Sequence, residues 1–212
     1  KTLVLAKDTA GRKDVEHLLD LTSGLDIDVA RLPRLGTFRG EEPVRPIALS
    51  DLLGRAEVTV DSAAAAAMVR GKRILVTGAG GSIGSELTRQ IAELKPARLI
   101  VADSSEFNLY TIDKELQERF PDIDRATALM DVRDNALVSH WFKVERPQIV
   151  FHAAALKHVP LLELHAVEAV KTNVLGTMNI AEASRANGVS TMVTISTDKA
   201  VNPHNVMGAT KR

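Results

Sequence analysis

Thr77-Gly78-Ala79-Gly80-Gly81-Ser82-Ile83-Gly84 is the stretch that decides the fold. It follows directly on the apolar run Ile74–Thr77 and leads into a helical pattern that starts at Ser85. Gly78, Gly81 and Gly84 recur at every third position, with Gly80 in addition. A strand-to-helix turn of this kind uses one glycine for its bend and one where backbone approaches a pyrophosphate. A third lets the helix lie against the strand. The pyrophosphate would sit on the N–H groups of Ser82 and Ile83, at the positive end of the new helix. No Lys-Ser/Thr pair follows the last glycine, which excludes a P-loop.

Working outward, short apolar runs alternate with helical stretches from Lys72 onward. The strands are expected at Ile74–Thr77, Leu99–Ala102, Ala126–Met130, Ile149–Phe151 and Met192–Ser196. Between them lie helices at Ser85–Leu94, Glu106–Phe120 and Asn135–Glu145, and one long helix at Leu161–Asn187. Strands joined by helices imply α/β architecture, a doubly wound parallel sheet of Rossmann type. Asp103 ends the second strand nineteen residues after Gly84, where a carboxylate accepts ribose hydroxyls. An acid there repels a 2′-phosphate and favours NAD over NADP, an effect that Ser104 and Ser105 could soften. Asp131 and Val132 follow the third strand. Asp131 either meets the adenine or caps the helix at Asn135. Ala153 and Ala154 end the fourth strand, small enough for backbone to pass beside a cofactor.

Residues 1–50 hold an apolar run at Leu3–Ala6, a helical pattern through Val15, Leu18 and Leu19 ended by Gly24, and a second extended run at 27–32. They read as the C-terminal part of a small α/β domain, with loop character from Arg34 to Pro46. Residues 51–71 read as a connector carrying the alanine run 63–67, and 72–212 as the dinucleotide-binding domain. Of the 212 residues, 27 are Lys or Arg and 27 Asp or Glu, so no global field draws the chain to nucleic acid. The absence of cysteine excludes disulfides, zinc–thiolate sites and cysteine nucleophiles. Only seven aromatics argue against base-stacking platforms. His152, His158 and His165 lack metal-ligand spacing, so no metal is expected. No apolar run reaches membrane-spanning length and no leader opens the chain, so a cytoplasmic location is expected. The start without Met and the end at Lys211-Arg212 suggest a fragment.

Four motifs occur in order: Thr77–Gly84, His152–Ala155, Asn173-Val174-Leu175-Gly176-Thr177, and Ser196-Thr197-Asp198-Lys199. Together they resemble the extended short-chain dehydrogenase/reductases of nucleotide sugars. Ala153–Pro160 and Ser196–Pro203 are similar to the CapD-like polysaccharide biosynthesis branch, the UDP-N-acetylglucosamine 4,6-dehydratases. The resemblance implies a UDP-linked nucleotide sugar as partner, a homo-oligomer, and a parent protein held at the inner membrane by segments outside this chain. Tyr110-Thr111-Ile112-Asp113-Lys114 matches the family's Tyr-x-x-x-Lys literally, but it precedes the fifth strand and reads as a surface helix. The positional equivalent is Met207-Gly208-Ala209-Thr210-Lys211, with Met in place of Tyr.

The resemblance assigns Asp198 as the acid for the C6 hydroxyl and Lys199 as the base at C5. Thr197 or Ser196 would bond the C4 hydroxyl, and Lys211 the nicotinamide ribose. The histidine-rich region reads as packing, or as contact with substrate at Lys157 and His158. The resemblance places most substrate contacts beyond Lys211, so that the domain at 72–212 is truncated before them. Two alternatives stay open: an epimerase or 4-ketoreductase on the same scaffold, and a dinucleotide-binding fragment without catalysis.

Overall fold

The computed structural model describes residues 2–5, 12–25, 27–31, 45–46 and 62–212. The chain divides into two compact units, Lys1–Val60 and Asp61–Arg212. In the first, β1 (Thr2–Leu5) and β2 (Asp28–Arg31) pair in parallel, with Thr2 opposite Asp28. Helix α1 (Arg12–Thr22) connects them, buries Val15 and is followed by Gly24 at φ +85°. The stretch read as loop contributes a two-residue strand, β3 (Arg45–Pro46), antiparallel to β2. The rest of that stretch, and residues 51–61 of the expected connector, lie outside the described residues.

The second unit opens with α2 (Ser62–Val69), built on the alanine run, whose Val69 is buried in the core. A five-stranded parallel sheet follows: β4 (Arg73–Thr77), β5 (Arg98–Asp103), β6 (Arg125–Leu129), β7 (Ile149–His152) and β8 (Thr191–Thr194). Their spatial order is β6-β5-β4-β7-β8. Alternate side chains serve opposite faces, as strand geometry requires. Ile74, Val76, Leu99 and Val101 pack with Ile91, Ile112 and Leu116 from α3 (Ser82–Glu93) and α4 (Glu106–Arg119). Leu75, Ile100, Ala128 and Val150 pack on the other face. Their partners are Val138 and Phe142 of α5 (Asn135–Glu145) and Ile180 and Ala183 of α8 (Thr177–Ala186). The order in which strands are added reverses between β4 and β7, which opens a crevice at the C-terminal strand ends.

The single long helix expected at 161–187 is instead broken. It comprises α6 (Val159–Leu164), α7 (Ala166–Ala169), a π-helical segment (Val170–Gly176) and then α8. His165 leaves helical geometry at φ −128° and ψ 50°. Inside the π segment the buried Asn173 bonds across to other elements. β8 also stops two residues short of Ser196; a 3₁₀ turn (Asp198–Ala200) and α9 (Val206–Lys211) follow it.

Candidate functional site

The glycine turn is shaped by steric necessity. Gly78 sits at φ +66°, and a Cβ there would lie 2.7 Å from the Cα of Ala154, so only glycine lets β4 and β7 end this close. A Cβ on Gly84 would overlap the Gly78 carbonyl, which fixes the helix against the turn. The first intrahelical bond of α3 runs from Ser85 N–H to Gly81 O at 2.8 Å. Ser82, Ile83 and Gly84 precede it, so their N–H groups belong to the unsatisfied first turn. The helix begins at Ser82, three residues earlier than expected.

Asp103, 8% exposed, is held by two backbone donors. The Gly80 N–H gives a bond of 3.0 Å to one carboxylate oxygen and the Ser105 N–H one of 2.9 Å to the other. The carboxylate thereby ties β5 to the glycine turn. Ser105, read only as a neighbour of Asp103, caps α4 by accepting from Asn108 N–H.

A cleft of about 650 Å³ lies along this edge. Gly78, Gly81, Asp103, Asp131, Val132, Ala153, Ala154, Lys157 and His158 all line it. Asp131 does not cap α5; Asp134 does, accepting from Leu137 N–H. Asp131 is instead gripped by Arg133, which also reaches Glu168 at 2.8 Å, and this pairing pulls the Asp131 carboxyl below its ordinary range.

The residues assigned to chemistry stand apart from that lining. Thr197 caps the 3₁₀ turn and donates to Asp198 Oδ1 at 3.0 Å. Asp198 is 88% exposed and pairs with Lys199 at 3.4 Å. The Thr197 hydroxyl first, and the Lys199 charge next, hold the Asp198 carboxyl below its usual pKa. Met207 is 5% exposed and packs with Leu162 and Ala169. Lys211 Nζ donates to Ile195 O at 2.8 Å, and partial burial lowers its pKa. Gly208 joins α9 to the 3₁₀ turn, since a Cβ there would strike the Lys199 carbonyl. Tyr110 lies on α4 with 65% of its surface exposed, as a surface helix requires.

Asn173 and His152, quoted above only within motifs, brace this edge with their polar groups. Asn173 Oδ1 accepts Leu156 N–H at 2.8 Å, and its Nδ2 donates to Leu156 O and Thr210 Oγ1, both at 3.0 Å. His152 bridges Thr77 and Thr177. The available signal was polarity at positions that strand and helix periodicity mark as inward.

A doubly wound parallel sheet with a glycine turn and an edge carboxylate defines a protein of the Rossmann class. The chain belongs to the polysaccharide biosynthesis protein family, which it matches over residues 74–212. It is 48% identical over 179 residues to the probable polysaccharide biosynthesis protein EpsC of Bacillus subtilis, covering 84% of this chain and 30% of that one. It is 38% identical over 145 residues to a UDP-N-acetylglucosamine 4,6-dehydratase (inverting) of Campylobacter jejuni, covering 68% of this chain and 42% of that one. A UDP-glucose 4-epimerase of Rickettsia canadensis is 37% identical over 149 residues, covering 66% and 40% respectively. The chain thus spans between 30% and 42% of the length of these relatives. Among the described residues, no helix is long and apolar enough to cross a membrane and no cluster could hold a metal ion.

Proposed function

We propose that this chain forms the dinucleotide-binding part of an NAD-dependent 4,6-dehydratase for a UDP-N-acetylglucosamine-type sugar, serving surface polysaccharide synthesis. The observation that carries the dehydratase reading is Met207. It stands where the resembling reductases and epimerases have a Tyr, and its thioether is buried against Leu162 and Ala169. A thioether has no proton to exchange with the C4 hydroxyl, and Ser196 or Thr197 would hydrogen-bond that hydroxyl in place of a Tyr.

The residues present fit a dinucleotide. The turn at Gly78 and Gly81 is bare of side chains, and the first-turn N–H groups of α3 suit a pyrophosphate. Asp103, with both oxygens fixed by backbone donors, suits ribose hydroxyls and repels a 2′-phosphate, so NAD is favoured over NADP. Asp131 and Val132 suit the adenine, and Ala153 and Ala154 let the ligand lie close to the backbone. When bound, NAD would take up a hydride from the sugar and return it within one turnover.

The chain's own groups handle the protons. Asp198 would protonate the leaving C6 hydroxyl. Bonded to Thr197 and beside Lys199 its carboxyl is held too acidic for this, and a sugar covering it would desolvate the carboxyl and raise its pKa. Lys199 would take the C5 proton. Lys211, already steered by Ile195 O, would hold the nicotinamide ribose. Lys157 and His158, exposed at the cleft, would meet the nucleotide sugar.

The test is to incubate a longer protein containing this chain with UDP-N-acetylglucosamine and to weigh the product. A dehydratase yields a 4-keto sugar lighter by one water. A product of unchanged mass would favour the epimerase reading, which the similar identities of the two sugar-nucleotide relatives keep in play.

A further inference from the structure

His152 ends β7 opposite Thr77 in register, and both residues are fully buried. Its Nδ1 lies 2.6 Å from Thr77 Oγ1 and its Nε2 3.0 Å from Thr177 Oγ1. The Thr177 hydroxyl gives its one proton to Asn173 O at 2.7 Å. It can therefore only accept from His152, so the ring proton sits on Nε2. Nδ1 is left with a lone pair, which accepts the Thr77 hydroxyl proton. One arrangement of protons satisfies the whole chain, and in it the imidazole is neutral. Burial, and secondarily the charge of Lys211, oppose a second ring proton.

The groups at either end of this chain matter for the site. Thr77 is the residue before Gly78, and its carbonyl accepts Ala153 N–H at 3.0 Å. The His152 carbonyl accepts Ile195 N–H at 2.9 Å, and Ile195 O is the anchor of Lys211 Nζ. Beyond Thr177, the Asn173 side chain reaches Thr210, the neighbour of Lys211. One residue thus touches the root of the glycine turn with its ring, and with its backbone the strand end that orients Lys211.

We propose that His152 is a positioning residue, a neutral Nε2–H imidazole that couples the glycine turn to Lys211 without touching the dinucleotide. This rests on the NAD-binding reading above. It departs from that reading in giving a residue outside the cleft lining control over affinity at both ends of the ligand.

The test uses the 212-residue chain. Ring ¹⁵N NMR should report a neutral Nε2–H tautomer for His152 from pH 8 to pH 5. NAD titration should show affinity about tenfold weaker in His152→Phe and in Thr77→Val, the scale of one lost buried hydrogen bond. His152→Gln keeps one acceptor and one donor and should return most of that loss. A merely space-filling role would make Phe at least as good as Gln. Melting of each variant checks that it folds, and Thr77→Val, nearly isosteric, keeps the test alive if a His152 variant does not. An Nδ1–H tautomer, a ring titrating at the ordinary histidine pKa, or Phe and Gln variants binding NAD alike would each overturn the proposal. A wild type that binds no NAD would overturn the functional reading instead, and the ring tautomer alone would then decide this one.

Discussion

Gly81 and Gly84 stand three residues apart in one turn, and an added methyl meets the Gly78 carbonyl at both, but not equally closely. At Gly84 it overlaps the Gly78 carbonyl, whereas at Gly81 it comes within 3.3 Å of that oxygen and the backbone is extended at φ −71°. Gly84→Ala should therefore cost about 1–3 kcal/mol of stability, the usual range for overpacking, read by denaturant titration. Gly81→Val should leave the midpoint nearly unchanged while abolishing measurable NAD binding, because its side chain fills the space over the turn. A Gly81 variant that binds NAD normally would remove the pyrophosphate from this turn. His152 supplies a second prediction at this scale. Burial first, and the Lys211 charge next, lower its pKa from 6.5 to about 4 in the folded chain. Between those values the unfolded chain binds more protons than the folded one, so stability is full above the upper value and declines as pH falls toward the lower. The loss should approach roughly 3 kcal/mol across the window. His152→Gln has no proton to gain, so the difference in urea midpoint between it and wild type should shrink as pH drops from 7 to 4. A constant difference would contradict the buried neutral ring.

Helix α3 starts from the glycine turn and carries Thr88 on its buried face, where the hydroxyl has no partner among the described residues. An unpaired buried hydroxyl costs free energy that an isosteric methyl does not. Thr88→Val should raise stability by about 1 kcal/mol and move Tm upward, with NAD affinity unchanged. A fall in Tm would mean that the hydroxyl finds a partner. At this scale much of the fold was legible beforehand. Ile74–Thr77 and the glycine spacing each follow from a local rule: strand periodicity and turn sterics. The broken helix was not legible, because residues 161–187 have continuous helical character. The π segment within them carries tertiary bonds, in which Asn173 is drawn inward to Leu156 and Thr210. The bonding role of His152 was not legible for a similar reason. A histidine at a strand end looks the same in sequence whether it faces a ligand or two threonines.

Over the whole second unit, the assigned groups separate into a binding edge and a reacting turn. Gly78, Asp103, Asp131 and Ala153 border one cleft, while Asp198 and Lys199 stand beyond β8 on the 3₁₀ turn that Gly208 pins to α9. Binding and turnover should therefore respond to different substitutions. Asp103→Ala should weaken NAD strongly in the isolated chain, and more for NAD than for NADP, since only the former gains from the carboxylate. Asp198→Asn and Lys199→Ala should leave NAD affinity within a factor of about two, because neither side chain borders the cleft. In a longer protein containing this chain, each should slow turnover of UDP-N-acetylglucosamine by roughly a hundred- to ten-thousand-fold, the usual loss of a positioned acid or base. Tyr110→Phe should cost nothing, since its phenol is exposed on α4, which follows β5 and not β8. Steady-state kinetics on the three variants, with melting as the control for folding, gives the comparison. If Tyr110→Phe lost turnover while Asp198→Asn kept it, the acid would have to be sought on α4. The buried Met207 would then no longer argue for a dehydratase, because a tyrosine would be serving the reaction after all.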